Sequence, residues 1–351
     1  MTDERKGMFG MRWRTWKHLA KEIMFHSSTR VFAAILAAML AAIASNAHAA
    51  GNYPTRSVTV VVPFPAGGPS DVVARIVTDH MAKTLHQSLV IENIGGAGGM
   101  LGSARVASAA PDGYTLLAAS MGSHVAAPVL APNVKYDPIR DFEPVGLMAH
   151  APAVIVARKT FPATNLGEFI DVLRRLGAGV TEAHGGIGAS SHMACLLFTT
   201  AAQVTPTLVA YRGTGPAIND LVGEHVDFLC DQAVSLTQQI KEGAVKAYAV
   251  SSHERLAVLP QVPTAAEAGI DYQMSIWAGM FAPRGTAKEV VDRLAQALDQ
   301  ALEDEYVQKR LSELGGTVPA KAERTPAKFE DFVRAEIARW APILKAASVE
   351  K

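Results

Sequence analysis

The sequence predicts a two-lobed α/β protein built on mostly parallel sheets, and three observations carry that reading. Apolar, β-branched runs alternate with helical stretches from about residue 58 onward. Four glycine-rich turns, at 66–69, 95–99, 185–189 and 213–215, each lead into a helix. They come as two pairs, one pair per half of the chain, as two similar lobes require. At 351 residues the chain has length for two domains, each with a sizeable core.

The elements follow in order. Val58–Val62 is a buried strand that stops at Pro63 and Pro65, turns at Gly67-Gly68 and enters a helix at Ser70/Asp71 running to about His86. Leu89–Glu92 is a short strand, Leu101 to Ala109 a helix, and Tyr114–Ala118 a strand after the Pro111-Asp112-Gly113 turn. Val145–Leu147 and Ala153–Val156 read as two further strands. Thr164 and Asn165 announce the helix Leu166–Leu176. In the second series a helix runs from about His192 to Ala202, and the strand Thr207–Ala210 leads to a helix opened by Pro216. The strand Val226–Cys230 delivers Asp231 at its tip, and Ala244–Val250 is another strand. Gln273–Phe281 is extended, and helices at Lys288–Leu302, Tyr306–Leu314 and Thr325–Lys345 close the chain. The chain crosses between lobes on extended apolar segments near Ala153–Ala157 and Met274–Phe281. Lobe one is then residues 50–154 plus 276–351, and lobe two is 155–275.

Composition narrows the function. The 33 Lys and Arg balance the 33 Asp and Glu, and no basic run interleaves with aromatics, which argues against a nucleic-acid partner. Seven of the basic residues precede Val31. An uncharged Ala/Leu/Ile-rich run, Val31–Ser45, follows, and Ala47 and Ala49 are small residues where a signal peptidase reads. Residues 1–49 are therefore expected to be a secretory signal cleaved after Ala49, with Met24 an alternative start. The alternative, a membrane anchor, suits a run of about fifteen residues poorly. The mature chain keeps 26 basic and 30 acidic residues. In an exported protein the two cysteines, Cys195 and Cys230, are expected to form a disulfide; two buried thiols are the alternative. Their spacing is no metal site.

Each glycine loop puts backbone N–H groups at a helix start, where an anion finds unpaired donors and the positive end of the helix dipole. A carboxylate could be held there with the hydroxyls of Ser70, Ser120, Ser190, Ser191 and Thr214, and only Arg212 lies close by in sequence. Enzymatic patterns are missing. No loop completes G-x-G-x-x-G, no Walker lysine follows, and there is no G-x-S-x-G elbow. Asp231 is suited to a ligand amino group or to capping a turn. Asp71 starts a helix, where a carboxylate answers the dipole.

These residues resemble a known family. Pro63–Asp71, Glu92-Asn93 with Gly96-Ala97-Gly98-Gly99, and Pro111-Asp112-Gly113-Tyr114-Thr115-Leu116 resemble motifs of the tripartite tricarboxylate transporter receptors. These are the Bug family of periplasmic solute-binding proteins. Tyr136-Asp137-Pro138, Ser191-His192, Tyr211 with Gly213–Ala217, Leu259-Pro260 with Val262-Pro263-Thr264, Glu267-Ala268-Gly269, and Ala282-Pro283 with Gly285-Thr286 continue the match in the family's order. Gly188–His192 and Cys230-Asp231-Gln232 are most similar to its aspartate-binding type. The resemblance implies a type II periplasmic binding fold that closes by hinge motion on a small carboxylate, an amino acid such as aspartate or a di- or tricarboxylate. It implies ligand contacts from Phe64, Ala66, Gly67, Gly68, Asp71 and Ser120 on lobe one. Gly188, Ala189, Ser190, His192, Thr214 and Asp231 would complete them from lobe two. It further implies no cofactor, no metal, a monomer, and delivery to a small and a large permease subunit. The alternatives are a secreted hydrolase using Ser190 or Ser191 with His192, and a receptor feeding a sensor kinase.

Overall fold

The computed structural model describes residues 53–131 and 133–349, so the export signal read at 1–49 lies outside the described residues. Val58–Val62 (β1) is buried on both faces and pairs in parallel with Leu89–Asn93 (β2) and Thr115–Ser120 (β3). Pro69–Leu85 (α1) and Met100–Ala107 (α2) are the crossovers. Phe142–Arg158 (β4) follows; Leu166–Leu176 (α3) begins with Asn165 accepting the Glu168 N–H, as its sequence announces. Thr181–His184 (β5), Ser190–Ala202 (α4), Thr207–Ala210 (β6), Thr214–Val222 (α5) and Phe228–Gln232 (β7) repeat the parallel pattern. Ala233–Lys241 (α6) and Val245–Val250 (β8) lead to Ser275–Pro283 (β9). Lys288–Glu303 (α7), Glu305–Glu313 (α8) and Pro326–Val349 (α9) end the fold.

The two segments read as separate strands, Val145–Leu147 and Ala153–Val156, are one strand of 17 residues, β4. Its first part, Phe142–Pro152, runs antiparallel to β9; its second part, Ala153–Arg158, pairs with β7 and β8. The strand order is β2-β1-β3-β9-β4-β7-β5-β6, with β8 also on β4. The handover falls between Pro152, opposite Ser275, and Ala153, opposite Gln232.

Ser251, just past β8 and 1% exposed, ties the handover together. Its N–H donates to the Ala153 carbonyl at 2.8 Å and its carbonyl accepts the Met274 N–H at 3.1 Å. Its hydroxyl accepts the Ala153 N–H at 2.8 Å and donates to the Met274 carbonyl at 2.7 Å. One residue thus satisfies both extended segments where they pass from one group of strands to the other.

The predicted disulfide is corrected. Cys195 on α4 and Cys230 on β7 are both buried as thiols, and the Cys230 N–H donates to Cys195 Sγ at 3.0 Å. Here each thiol acts as a small core side chain in contact with its neighbour. Burial, then the Cys230 neighbour, pushes the Cys195 thiol well above its usual pKa, so it does not ionise to attack.

Two outcomes follow for this architecture. Ser251→Ala leaves a buried N–H and a buried C=O unanswered and should cost about 2–3 kcal/mol in urea unfolding; a loss below about 0.5 kcal/mol would contradict the role given to Ser251. Both cysteines should resist a thiol reagent in the folded protein and react after unfolding. Rapid native-state labelling, or a bridged pair, would contradict the buried-thiol assignment.

Candidate functional site

Three helices aim their N-termini at one cavity. The starts of α1 (Pro69, Ser70), α4 (Ala189, Ser190, Ser191) and α5 (Thr214) line it, with Phe64, Ser120 at the end of β3, and Asp231 and Gln232 at the end of β7. The residues before these helices are Gly68, Ala189 and Gly213, and no capping side chain is hydrogen-bonded at any of the three. The first-turn N–H groups therefore keep their donor capacity, and three dipoles add positive potential at one place. The cavity is about 10 Å³, room for roughly one water. Its polar lining is otherwise hydroxyl and amide, with Asp231 the one ionisable side chain.

The cavity is small because the loops around it are in contact across glycine backbone. Ser190 Oγ accepts the Gly122 N–H at 3.0 Å and lies 3.4 Å from Ser120 Oγ. A Cβ on Gly98 would sit 1.9 Å from the Ile187 carbonyl oxygen, and one on Gly122 would sit 2.5 Å from the Ser190 nitrogen. One on Gly213 would sit 2.2 Å from Pro65 Cδ. No side chain fits at these positions while the loops are in this contact, which explains the glycines physically.

Asp231 is fully buried. Its Oδ2 accepts the Ser235 hydroxyl at 2.9 Å, and its Oδ1 has no hydrogen-bond partner. Burial raises its pKa to about 6, against the lowering effect of the Gln232 N–H, Ser235 and Thr214. An acceptor oxygen with no donor, beside an anion-attracting cavity, suits a ligand that carries a donor next to its carboxylate.

Of the residues expected to contact a ligand, the cavity brings together Phe64, Ser120, Ala189, Ser190, Thr214 and Asp231. Asp71 is corrected. Its Oδ2 accepts Gly67 N–H and Arg75 Nε at 3.0 Å each, and its Oδ1 accepts Asn93 Nδ2 at 2.9 Å, so its carboxylate holds the loop. These donors keep its pKa low although burial pulls upward. Ala66 and Gly67 line a neighbouring outer cavity, and Gly68 stands between the two, its Cβ direction 3.6 Å from Thr214 Oγ1. Gly188 packs on Ala127, and its N–H donates to His192 Nδ1 at 3.3 Å. His192 lies outside the cavity lining and packs at a tilt against His184, ring centroids 4.7 Å apart. Of the residues in the hydrolase alternative, Ser190 Oγ accepts the Gly122 N–H, Ser191 Oγ the Gly185 N–H and His192 Nδ1 the Gly188 N–H, so each holds a loop.

Sequence reasoning missed the support behind Ser120. Gly122–Ala126 forms a π turn, and Ser123 Oγ accepts the Ser120 N–H at 3.2 Å and donates to the Ser120 carbonyl at 3.1 Å. His124 Nδ1 lies 3.2 Å from Ser123 Oγ, and the ring stacks on Phe281 at 4.3 Å and packs on Phe142 at 5.0 Å. Complete burial drops the His124 pKa to about 3, so the ring stays neutral. Among the described residues no group of three or more His, Cys, Asp or Glu is arranged to hold a metal.

Known proteins resemble this chain in sequence and fold. The family profile "Tripartite tricarboxylate transporter family receptor" (TctC) matches residues 73–349. MatC from Rhodopseudomonas palustris, solved with bound malate, is 45% identical at a TM-score of 0.81, covering 83% of this chain and 100% of that one. The periplasmic binding protein BugD is 43% identical at a TM-score of 0.82, covering 85% and 99%. A third structure, an R. palustris protein with adipate, is 31% identical at a TM-score of 0.80, covering 84% and 98%. The chain belongs to the tripartite tricarboxylate transporter receptor family, whose members are solute receptors and not enzymes.

Proposed function

We propose that the chain captures a small carboxylate in the periplasm, by closing two lobes on it, and delivers it to the small and large permease subunits of a tripartite transporter. The carrying observation is the convergence of three uncapped helix N-termini on one cavity. Malate in MatC and adipate in the second R. palustris protein support a carboxylate as the ligand class. Residues 50–154 with 276–351 form one lobe and 155–275 the other, a division supported by the handover at Pro152/Ala153. The basic start, the apolar run and Ala47/Ala49 support export with cleavage after Ala49. The convergent helix starts hold the shared carboxylate, and Ser120 and Asp231 select what accompanies it. Hinge motion is carried by β4 and β9.

Thermal shift of the mature protein against malate, aspartate, succinate, citrate and adipate tests the reading, since a ligand raises the melting temperature by mass action. A panel with no shift would overturn it.

Gly122→Ala places a methyl against Ser190 while suiting a helical turn. It should weaken the tightest panel ligand by at least about tenfold in calorimetry and leave the unliganded melting temperature within about 2 °C. Equal affinity would remove Gly122 from the closing contact. Asp231→Asn should weaken aspartate more than succinate, and wild-type aspartate affinity should fall as pH drops through about 6. Below that value Asp231 takes up a proton and no longer attracts an ammonium group. Equal losses for both ligands and a flat profile from about pH 5 to 8 would exclude the amino-group role.

A further inference from the structure

Ser120 reaches the ligand cavity from the end of β3, and the hydroxyl that holds its main chain belongs to Ser123. Ser120, Ser123 and His124 are all fully buried. Ser123 Oγ has three polar neighbours: the Ser120 nitrogen at 3.2 Å, the Ser120 carbonyl oxygen at 3.1 Å and His124 Nδ1 at 3.2 Å. A hydroxyl has one proton and two lone pairs. One lone pair takes the Ser120 N–H. The proton then goes either to the Ser120 carbonyl or to His124 Nδ1.

The far side of the His124 ring chooses between them. Complete burial keeps the ring neutral, so one nitrogen carries a proton and the other does not. Its Nε2 is buried and has no hydrogen-bond partner, and around the ring stand Phe281 at 4.3 Å, Phe142 at 5.0 Å and Trp277 at 6.4 Å. Were Ser123 to donate to Nδ1, the ring proton would sit on Nε2 as a buried donor without an acceptor. The Ser120 carbonyl would also lose the hydroxyl. With the proton on Nδ1 instead, Ser123 makes all three bonds and only the bare Nε2 lone pair goes unanswered. That arrangement has one hydrogen bond more and one buried orphan fewer. We infer that His124 is held in its Nδ1–H form and is a positioning residue for ligand binding. Its N–H fixes the Ser123 hydroxyl, which clamps both main-chain groups of Ser120 and so aims the Ser120 side chain into the cavity. The inference rests on Ser120 as a ligand contact, proposed above.

Two measurements on the mature protein test it. Nitrogen-15 NMR at neutral pH without ligand should show His124 Nδ1 protonated and Nε2 bare; the reverse form would overturn the inference. The second is calorimetry with the tightest binder among malate, aspartate, succinate, citrate and adipate. Ser120→Ala and Ser123→Ala should each weaken it about tenfold, and the double variant should lose at most about threefold more. Independent effects would multiply to about 100-fold and would overturn the route through Ser120. His124→Asn can set an amide N–H where the Nδ1–H stands and should stay within about threefold of wild type. His124→Leu cannot, and should lose about tenfold although leucine suits the aromatic surroundings better. The opposite ranking would reduce His124 to packing and overturn its positioning role. Ser120→Ala without effect would overturn the inference and leave the carboxylate reading intact. Failure of every carboxylate to bind the wild-type protein would overturn both together.

Discussion

The fold depends on the four hydrogen bonds at Ser251. Both β4 and the segment leading into β9 pass from one group of strands to the other, at Ala153 and Met274. Extended backbone in transit between sheets loses its ladder partners for a residue or two. Buried N–H and C=O groups without partners cost about 1–3 kcal/mol each. Ser251 answers them with its own amide and carbonyl and one hydroxyl. All four bonds gather on one residue, so the passage between the strand groups needs no long stretch of extra pairing. Irregular register between β4 and β9 near Gly146 and Ala149 adds compliance on one side.

The binding chemistry sits on that frame and uses little side-chain charge. Convergent helix starts supply the positive field, and hydroxyls supply adaptable donors. Asp231, with one satisfied and one unsatisfied oxygen, is the exception. An arginine would hold a carboxylate more strongly but would also need desolvating whenever the cleft closed. Backbone dipoles are already fixed, so they carry no such penalty. The neutral His124, Ser123 and the π turn hold Ser120 in place from behind, joining the ligand cavity to the aromatic packing on β4 and β9.

Much of this was legible in the sequence, for local reasons. Pro65, Gly67-Gly68 and Asp71 mark a strand end and a helix start, and Asn165 and Pro216 mark two more. The crossing point near Ala153 was legible as an apolar run. Its continuity was not, because Pro144, Gly146 and Pro152 interrupt the β pattern of what is one strand held by β9. The helix Ala233–Lys241 was hidden because it follows β7 directly, with no Gly or Pro to announce it. The loop contacts of Asp71 were not legible because its partners, Arg75 and Asn93, reach it from a helix face and a neighbouring strand. The disulfide expectation came from compartment and parity, and neither senses that Cys195 Sγ is occupied by a backbone N–H.

The glycine contacts across the cleft carry one more consequence. The contact surface has glycine main chain on one side of each pair: Gly98 against the Ile187 carbonyl, Gly122 against Ser190, Gly213 against the Pro65 ring. The latch is therefore nearly blind to the cargo. On the proposed reading, selectivity rests on a few side chains around the cavity, and those can change while the glycine contacts are held constant. Such a separation lets a duplicated gene acquire a new nutrient by a handful of substitutions, without relearning how to shut.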